Sequence, residues 1–180
     1  MKTLIKWTLE DYHNLINKGI LDHKSVELLE GELIEMSPES PFHSYITEGS
    51  VEYLRQLLQG LALVKEAHPI TLLNSEPEPD LAIVKLPRNR YRDRHPYAED
   101  IFWLIEVSNK TLTYDLNDKK KAYAKAGIKE YWVIDINGAK IYVFIDPEGD
   151  NYKTEIIVTE GIIKPQAFPD LEVSINQLCS

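Results

Sequence analysis

Cysteine is nearly absent. The one copy, Cys179, stands a single residue from the end of the 180-residue chain. One thiol cannot close an internal bridge, so a disulfide scaffold is excluded and a reducing compartment is expected. Long apolar runs are missing too: the longest, Ile101–Ile105, has five residues, against the ~20 that a membrane-spanning helix needs. The N-terminal segment Met1-Lys2-Thr3-Leu4-Ile5-Lys6-Trp7 turns polar too early for the apolar core of a signal peptide. These absences predict a soluble cytoplasmic protein with no membrane partner. A Walker loop, a Gly-rich dinucleotide fingerprint and a nucleophile elbow are all lacking, which argues against ATP-driven, NAD-dependent and serine-hydrolase chemistry. His13, His23, His68 and His95 have no metal-ligand spacing. With no internal repeat and no Gly/Ser-rich linker, residues 1–180 read as one domain, long enough to bury ~70% of its unfolded surface.

What is present begins with charge. Twenty basic against twenty-nine acidic residues give a net −9, which opposes a polyanionic partner. The distribution is uneven. Between Lys85 and Lys129 lie eleven basic and six acidic residues, a local surplus of five that leaves −14 for the rest. A basic sector on an acidic body attracts a phosphate backbone locally; a solvated loop and helix would show the same composition.

Local patterns predict the elements. Thr8-Leu9-Glu10-Asp11 is a capping box opening a helix that Gly19 closes. Val26–Leu29 and Glu32–Met36 around Glu30-Gly31 form a β-hairpin. Ile46, Val51, Leu54, Leu57 and Leu58 recur at helical spacing from Phe42 to Gln59. Strands follow at Leu61–Lys65, Ile70–Leu73, Asp80–Val84 and Ile101–Ser108, then a helix at Asp115–Ala126. Further strands are expected at Tyr131–Ile136, Ile141–Ile145 and Thr154–Val158. Leu86–Asp100 reads as a loop or mobile excursion. The result is an α/β domain with a mixed sheet.

Three residues in these elements carry chemistry. In Ile101–Ser108, period two sends Ile101, Trp103, Ile105 and Val107 one way and Phe102, Leu104, Glu106 and Ser108 the other. Glu106 thus stands near the end of a buried strand, where an unpaired carboxylate is costly, unless that end reaches solvent. Asp80 opens the strand Asp80–Val84, either as a turn residue or as an acid aimed with Glu106 at a hard cation. On the following helix, with Asp115 as cap, Leu116, Ala122, Tyr123 and Ala126 form an apolar stripe at 100° per residue, and Lys119 falls within it. Such a lysine either snorkels or meets a buried anion. Two carboxylates and an ammonium suffice for metal-assisted phosphodiester hydrolysis, the cation activating water and the ammonium steadying the transition state.

The sequence also resembles a known family. Pro79-Asp80 followed by Glu106-Val107-Ser108 looks like the PD-(D/E)XK nuclease pattern. The longer run Glu106-Val107-Ser108…Tyr114-Asp115…Lys119…Tyr123-Ala124…Ala126-Gly127-Ile128…Glu130-Tyr131-Trp132…Asp135 is similar to the Uma family of restriction-endonuclease-like proteins. So is Glu27-Leu28-Leu29-Glu30-Gly31-Glu32-Leu33-Ile34-Glu35-Met36-Ser37-Pro38 with His43 beyond it. The resemblance spans about Thr8 to Leu171. It implies a restriction-endonuclease-like mixed β-sheet core flanked by helices, with an N-terminal helix and β-hairpin. It also implies a Mg²⁺ (or Mn²⁺) held by Asp80, Glu106 and Val107. The superfamily's lysine would fall at Ser108. Its ammonium therefore comes from elsewhere, with Lys119 first and Lys110 second, or the protein is inactive. The expected catalytic set is Asp80, Glu106 and Lys119, acting on DNA as a homodimer; nothing in these residues separates DNA from RNA. The competing expectation is a catalytically inactive nuclease-fold module that binds nucleic acid or a protein partner. His43 and Glu32 are further candidates for the site, each with a structural alternative, and Asp135 reads as a turn residue.

Overall fold

The computed structural model describes residues 4–180; Met1, Lys2 and Thr3 of the N-terminal segment weighed above lie outside the described residues. Helix α1, Leu9–Asn17, opens with the expected reciprocal cap: Asp11 N–H donates to Thr8 Oγ1 and Thr8 N–H to Asp11 Oδ2. Strands β1 (Val26–Leu29) and β2 (Glu32–Glu35) pair antiparallel with Leu29 opposite Glu32. The two turn residues, Glu30 and Gly31, have φ of 49° and 76°, the left-handed pair that matches the twist of a two-residue hairpin. Helix α2, Pro41–Leu57, is capped by Ser40, which accepts the His43 N–H at 3.2 Å, and Pro41 occupies the first turn, where its missing N–H costs nothing.

Six strands then form one mixed sheet in the order β3 (Leu63–Glu66), β4 (Leu81–Val84), β5 (Ile101–Ser108), β6 (Glu130–Asp135), β7 (Lys140–Glu148) and β8 (Asn151–Val158). All neighbours are antiparallel except β5 and β6. A parallel pair needs a crossover, and a helical run supplies it: Leu112–Tyr114, a wider π turn at Asp115–Lys119, then Lys120–Lys125, together α3. Two short strands, β9 (Ile162–Ile163) and β10 (Val173–Ser174), and helix α4 (Ile175–Cys179) complete the chain.

The sheet is covered on both faces, so its central strands are largely apolar on both sides. On one face Ile46, Val51 and Leu54 of α2 pack on Trp103, Ile105, Val107 and Trp132. On the other, Tyr123 and Ala124 of α3 pack on Ala82, Leu104, Tyr131 and Val133. Trp103 and Trp132 are fully buried with ring centroids 5.5 Å apart.

Four local expectations change. The alternation along β5 holds from Trp103 to Ser108 but inverts at its start. Ile83 pairs with Trp103 and Val84 with Ile101, so Phe102 is an extra residue, and Ile101 joins the α3 face while Phe102 packs on the α2 face. Ile70–Leu73 is not a strand; only Thr71 makes a bridge, to Tyr97. Ile70 N–H donates instead to Pro77 O, and Thr71 N–H to Pro96 O. Residues 86–100 contain two 3₁₀ turns, Arg88–Tyr91 and Ala98–Asp100, gathered around fully buried Asp100. That carboxylate accepts from Arg90 at 2.9 Å, Arg94 at 2.6 Å and Tyr97 N–H at 3.1 Å. Asp115, expected as a helix cap, lies inside the helical run and is buried.

Candidate active site

Register places the two acids. Leu81 pairs with Ile105 in antiparallel β4–β5, so Asp80, one residue outside β4, comes opposite Glu106 on the face shared with Ala82 and Leu104. Because β4 begins only at Leu81, the main chain of Val107 has no strand partner on that side. Both of its polar groups point there, since the N–H and C=O of one strand residue share a direction. Asp80 takes the first: Val107 N–H donates to Asp80 Oδ2 at 2.6 Å. The C=O remains turned toward the His43 imidazole.

Lys119 reaches the same spot from α3. Its Nζ donates to Glu106 Oε1 at 2.9 Å and lies 3.7 Å from Glu27 Oε2. Its side chain is 8% exposed, so the partnered arrangement holds here and the snorkelling one does not. The Tyr123 hydroxyl donates to the same Glu106 oxygen at 2.7 Å. Burial strongly opposes charge on Glu106, Lys119 opposes that effect, and Asp80 and Asp115 add repulsion; the carboxyl is held well above its usual range. Burial alone would depress Lys119, but Glu106, Glu27 and Asp115 outweigh it and keep the ammonium charged. Carboxyl groups thus crowd this low-dielectric pocket, and the repulsion that raises Glu106 is what a bound cation would relieve.

His43, on the first turn of α2, sits with Nε2 3.3 Å from Asp80 Oδ2. Contact with Asp80 raises its pKa against the opposing effect of burial. Glu39, His43 and Asp80 each offer a ligand atom within 4.8 Å of the others. Asp80, Glu106, Val107, Lys119, His43, Glu39, Glu27 and Lys110 all line one cleft of about 770 Å³. Among the described residues, no donor reaches Asp80 Oδ1 or Glu106 Oε2. Two free carboxylate oxygens and a main-chain carbonyl are the hard donor set that Mg²⁺ or Mn²⁺ requires, so the residues fit the implied cation.

Other candidates separate. Glu32 stays in solvent, paired with Lys6 at 2.5 Å. Asp135 closes a turn by accepting Gly138 N–H at 2.8 Å. Ser108, at the motif-lysine position, donates to Asp115 Oδ2, which also accepts from Thr111 at 2.7 Å. Sequence reasoning passed over Glu27. It is buried on β1, accepting from Tyr114 OH at 3.0 Å and from Glu78 N–H at 3.0 Å. An acid followed by two leucines in a short hairpin strand was the available signal.

A mixed sheet with one parallel pair and acids at adjoining strand ends defines a restriction-endonuclease-like protein. The family model Uma2, described as "Putative restriction endonuclease", matches residues 9–176, and the chain belongs to that family. A solved structure from Anabaena variabilis ATCC 29413, described as a putative nuclease belonging to DUF820, superposes with a TM-score of 0.68. It is 19% identical, over 85% of this chain and 88% of that one, and shows the same fold. No curated protein matches the chain.

Proposed function

We propose that the chain is one nuclease domain that hydrolyses DNA phosphodiester bonds with a bound divalent cation. Asp80, Glu106 and the Val107 carbonyl would hold the cation, and Lys119 would act at the scissile phosphate. The observation that carries this reading is the 2.9 Å contact of Lys119 Nζ with Glu106 Oε1 inside the cleft that Asp80 also lines. The cation, when bound, polarises the phosphate and lowers the pKa of a water molecule. Lys119 supplies a fixed positive charge for the building negative charge, in a site where water screens little. Tyr123 and Glu27 hold that ammonium and Glu106 in register, so no reorganisation is needed at the moment of reaction. Val107 N–H fixes one oxygen of Asp80 and leaves the other toward the cleft. Cutting both strands of a duplex calls for two such clefts, which a homodimer supplies.

The test pairs calorimetric titration of Mn²⁺ and Mg²⁺ with cleavage of plasmid DNA, in the wild type and in Asp80→Asn and Glu106→Gln. Both variants should bind cation at least tenfold more weakly and lose cleavage by about 10²-fold or more. Undiminished cleavage in either variant, or in excess chelator, removes the reading. Ser108 supports a second one, a non-catalytic nucleic-acid-binding module; it requires DNA affinity indifferent to Asp80→Asn and no cleavage with any divalent cation.

A further inference from the structure

We infer that His43 is a nitrogen ligand of this cation centre, which makes it a site for a transition-metal ion such as Mn²⁺ in preference to Mg²⁺. The inference rests on the proposed nuclease reading and adds the identity of the cation to it. His43 Nε2 lies 3.3 Å from Asp80 Oδ2. That is long for a charge-assisted N–H···O bond, normally about 2.7–2.9 Å. The imidazole and the Asp80 carboxylate are thus close enough to share one ion without being locked in a bond to each other. Nε2 therefore lies beside the Asp80 carboxylate and lines the same cleft as Val107, whose carbonyl is assigned to the cation. Glu39, four residues before His43, has Oε2 4.0 Å from the other nitrogen, Nδ1, and its carboxylate falls with His43 and Asp80 in a set of ligand atoms within 4.8 Å of one another.

Local structure makes this placement firm. Ser40 caps α2 through the His43 N–H at 3.2 Å, and Asn109 Nδ2 donates to Ser40 Oγ at 2.8 Å. The helix start is therefore tied to the segment that follows β5. Thr47, a turn further along α2, lies 3.5 Å from His43 Nδ1, which leaves Nε2 as the nitrogen turned to the cleft. Mg²⁺ selects oxygen donors, whereas first-row transition ions accept an imidazole beside them, Mn²⁺ the least strongly of the series but more readily than Mg²⁺. An imidazole in an otherwise all-oxygen set thus shifts selectivity more than it adds affinity for Mg²⁺.

The decisive experiment is pulsed electron paramagnetic resonance on the full chain loaded with one equivalent of Mn²⁺, with the Mn²⁺ and Mg²⁺ dissociation constants measured alongside. The wild type should show ¹⁴N modulation from a coordinated imidazole. His43→Ala, its fold checked by circular dichroism, should lose that signal, and its preference for Mn²⁺ over Mg²⁺ should fall by roughly tenfold or more. Mn²⁺ bound to the wild type without ¹⁴N modulation overturns this inference alone and leaves the nuclease reading standing. Modulation that persists in His43→Ala also overturns it. A wild type that binds neither ion removes both readings.

Discussion

At the scale of single residues, buried carboxylates are the informative feature, and each answers the cost of burial differently. Asp100 survives burial because Arg94, Tyr97 N–H and Arg90 outweigh it and hold its carboxyl below the ordinary range. Glu106 is partnered but still raised, because burial outweighs Lys119 and the carboxyl groups of Asp80, Asp115 and Glu27 add repulsion. Glu130, on the opposite face of the sheet from Glu106, is pushed up to about 7 by burial, despite accepting from Gln166 N–H and Trp132 Nε1–H at 2.7 Å each. The folded state keeps the proton between the ordinary value of 4.5 and about 7 while the unfolded chain has lost it. The stabilisation is therefore complete below that window and lost as pH rises through it. At 1.36 kcal/mol per unit, about 3 kcal/mol is at stake. Urea unfolding at pH 4.5 and pH 7.5 should show Glu130→Gln losing about 3 kcal/mol less than the wild type across that interval; equal losses in the two proteins reject the assignment.

Elements add what residues alone do not explain. Lys119 ends the π turn Asp115–Lys119, a widened turn of the kind often found at functional sites. Asp115 anchors that turn to the end of β5 through Ser108 and to the preceding loop through Thr111. Ser108 thus helps to hold the helix that carries Lys119. The basic segment 85–100 is an organised element for a similar reason. Arg94 donates to Asp100 at 2.6 Å and stacks 4.4 Å from the Tyr97 ring. Removing Arg94 strips a charged donor from a fully buried carboxylate, so Arg94→Ala should cost about 1.5–3 kcal/mol in urea unfolding. A cost below 0.5 kcal/mol would show that Arg90 and Tyr97 N–H suffice.

At the scale of the whole molecule, charge separation sets how a polyanion is met. Arg88 and Arg92 are exposed on the basic segment of a chain whose net charge is −9. If DNA is the substrate, Arg88→Glu/Arg92→Glu should lower the slope of log K against log salt by about 2, from roughly 0.9 per lost phosphate contact. Cation binding in the cleft should be unchanged by that double substitution. Among the described residues no helix is long and apolar enough to cross a membrane. Four local features are legible in the residues alone: the Thr8–Asp11 cap, the Glu30-Gly31 turn, the buried β5 strand and Lys119 within an apolar stripe. These follow from local propensity and periodicity, which act over a few residues. Only tertiary structure decided that Phe102 bulges, that Ile70–Leu73 pairs with no strand, and that Glu27, His43 and Tyr123 meet Asp80, Glu106 and Lys119. Those outcomes depend on strand register and on contacts between segments as far apart as Glu27 and Lys119, and no local pattern encodes a distance across the fold.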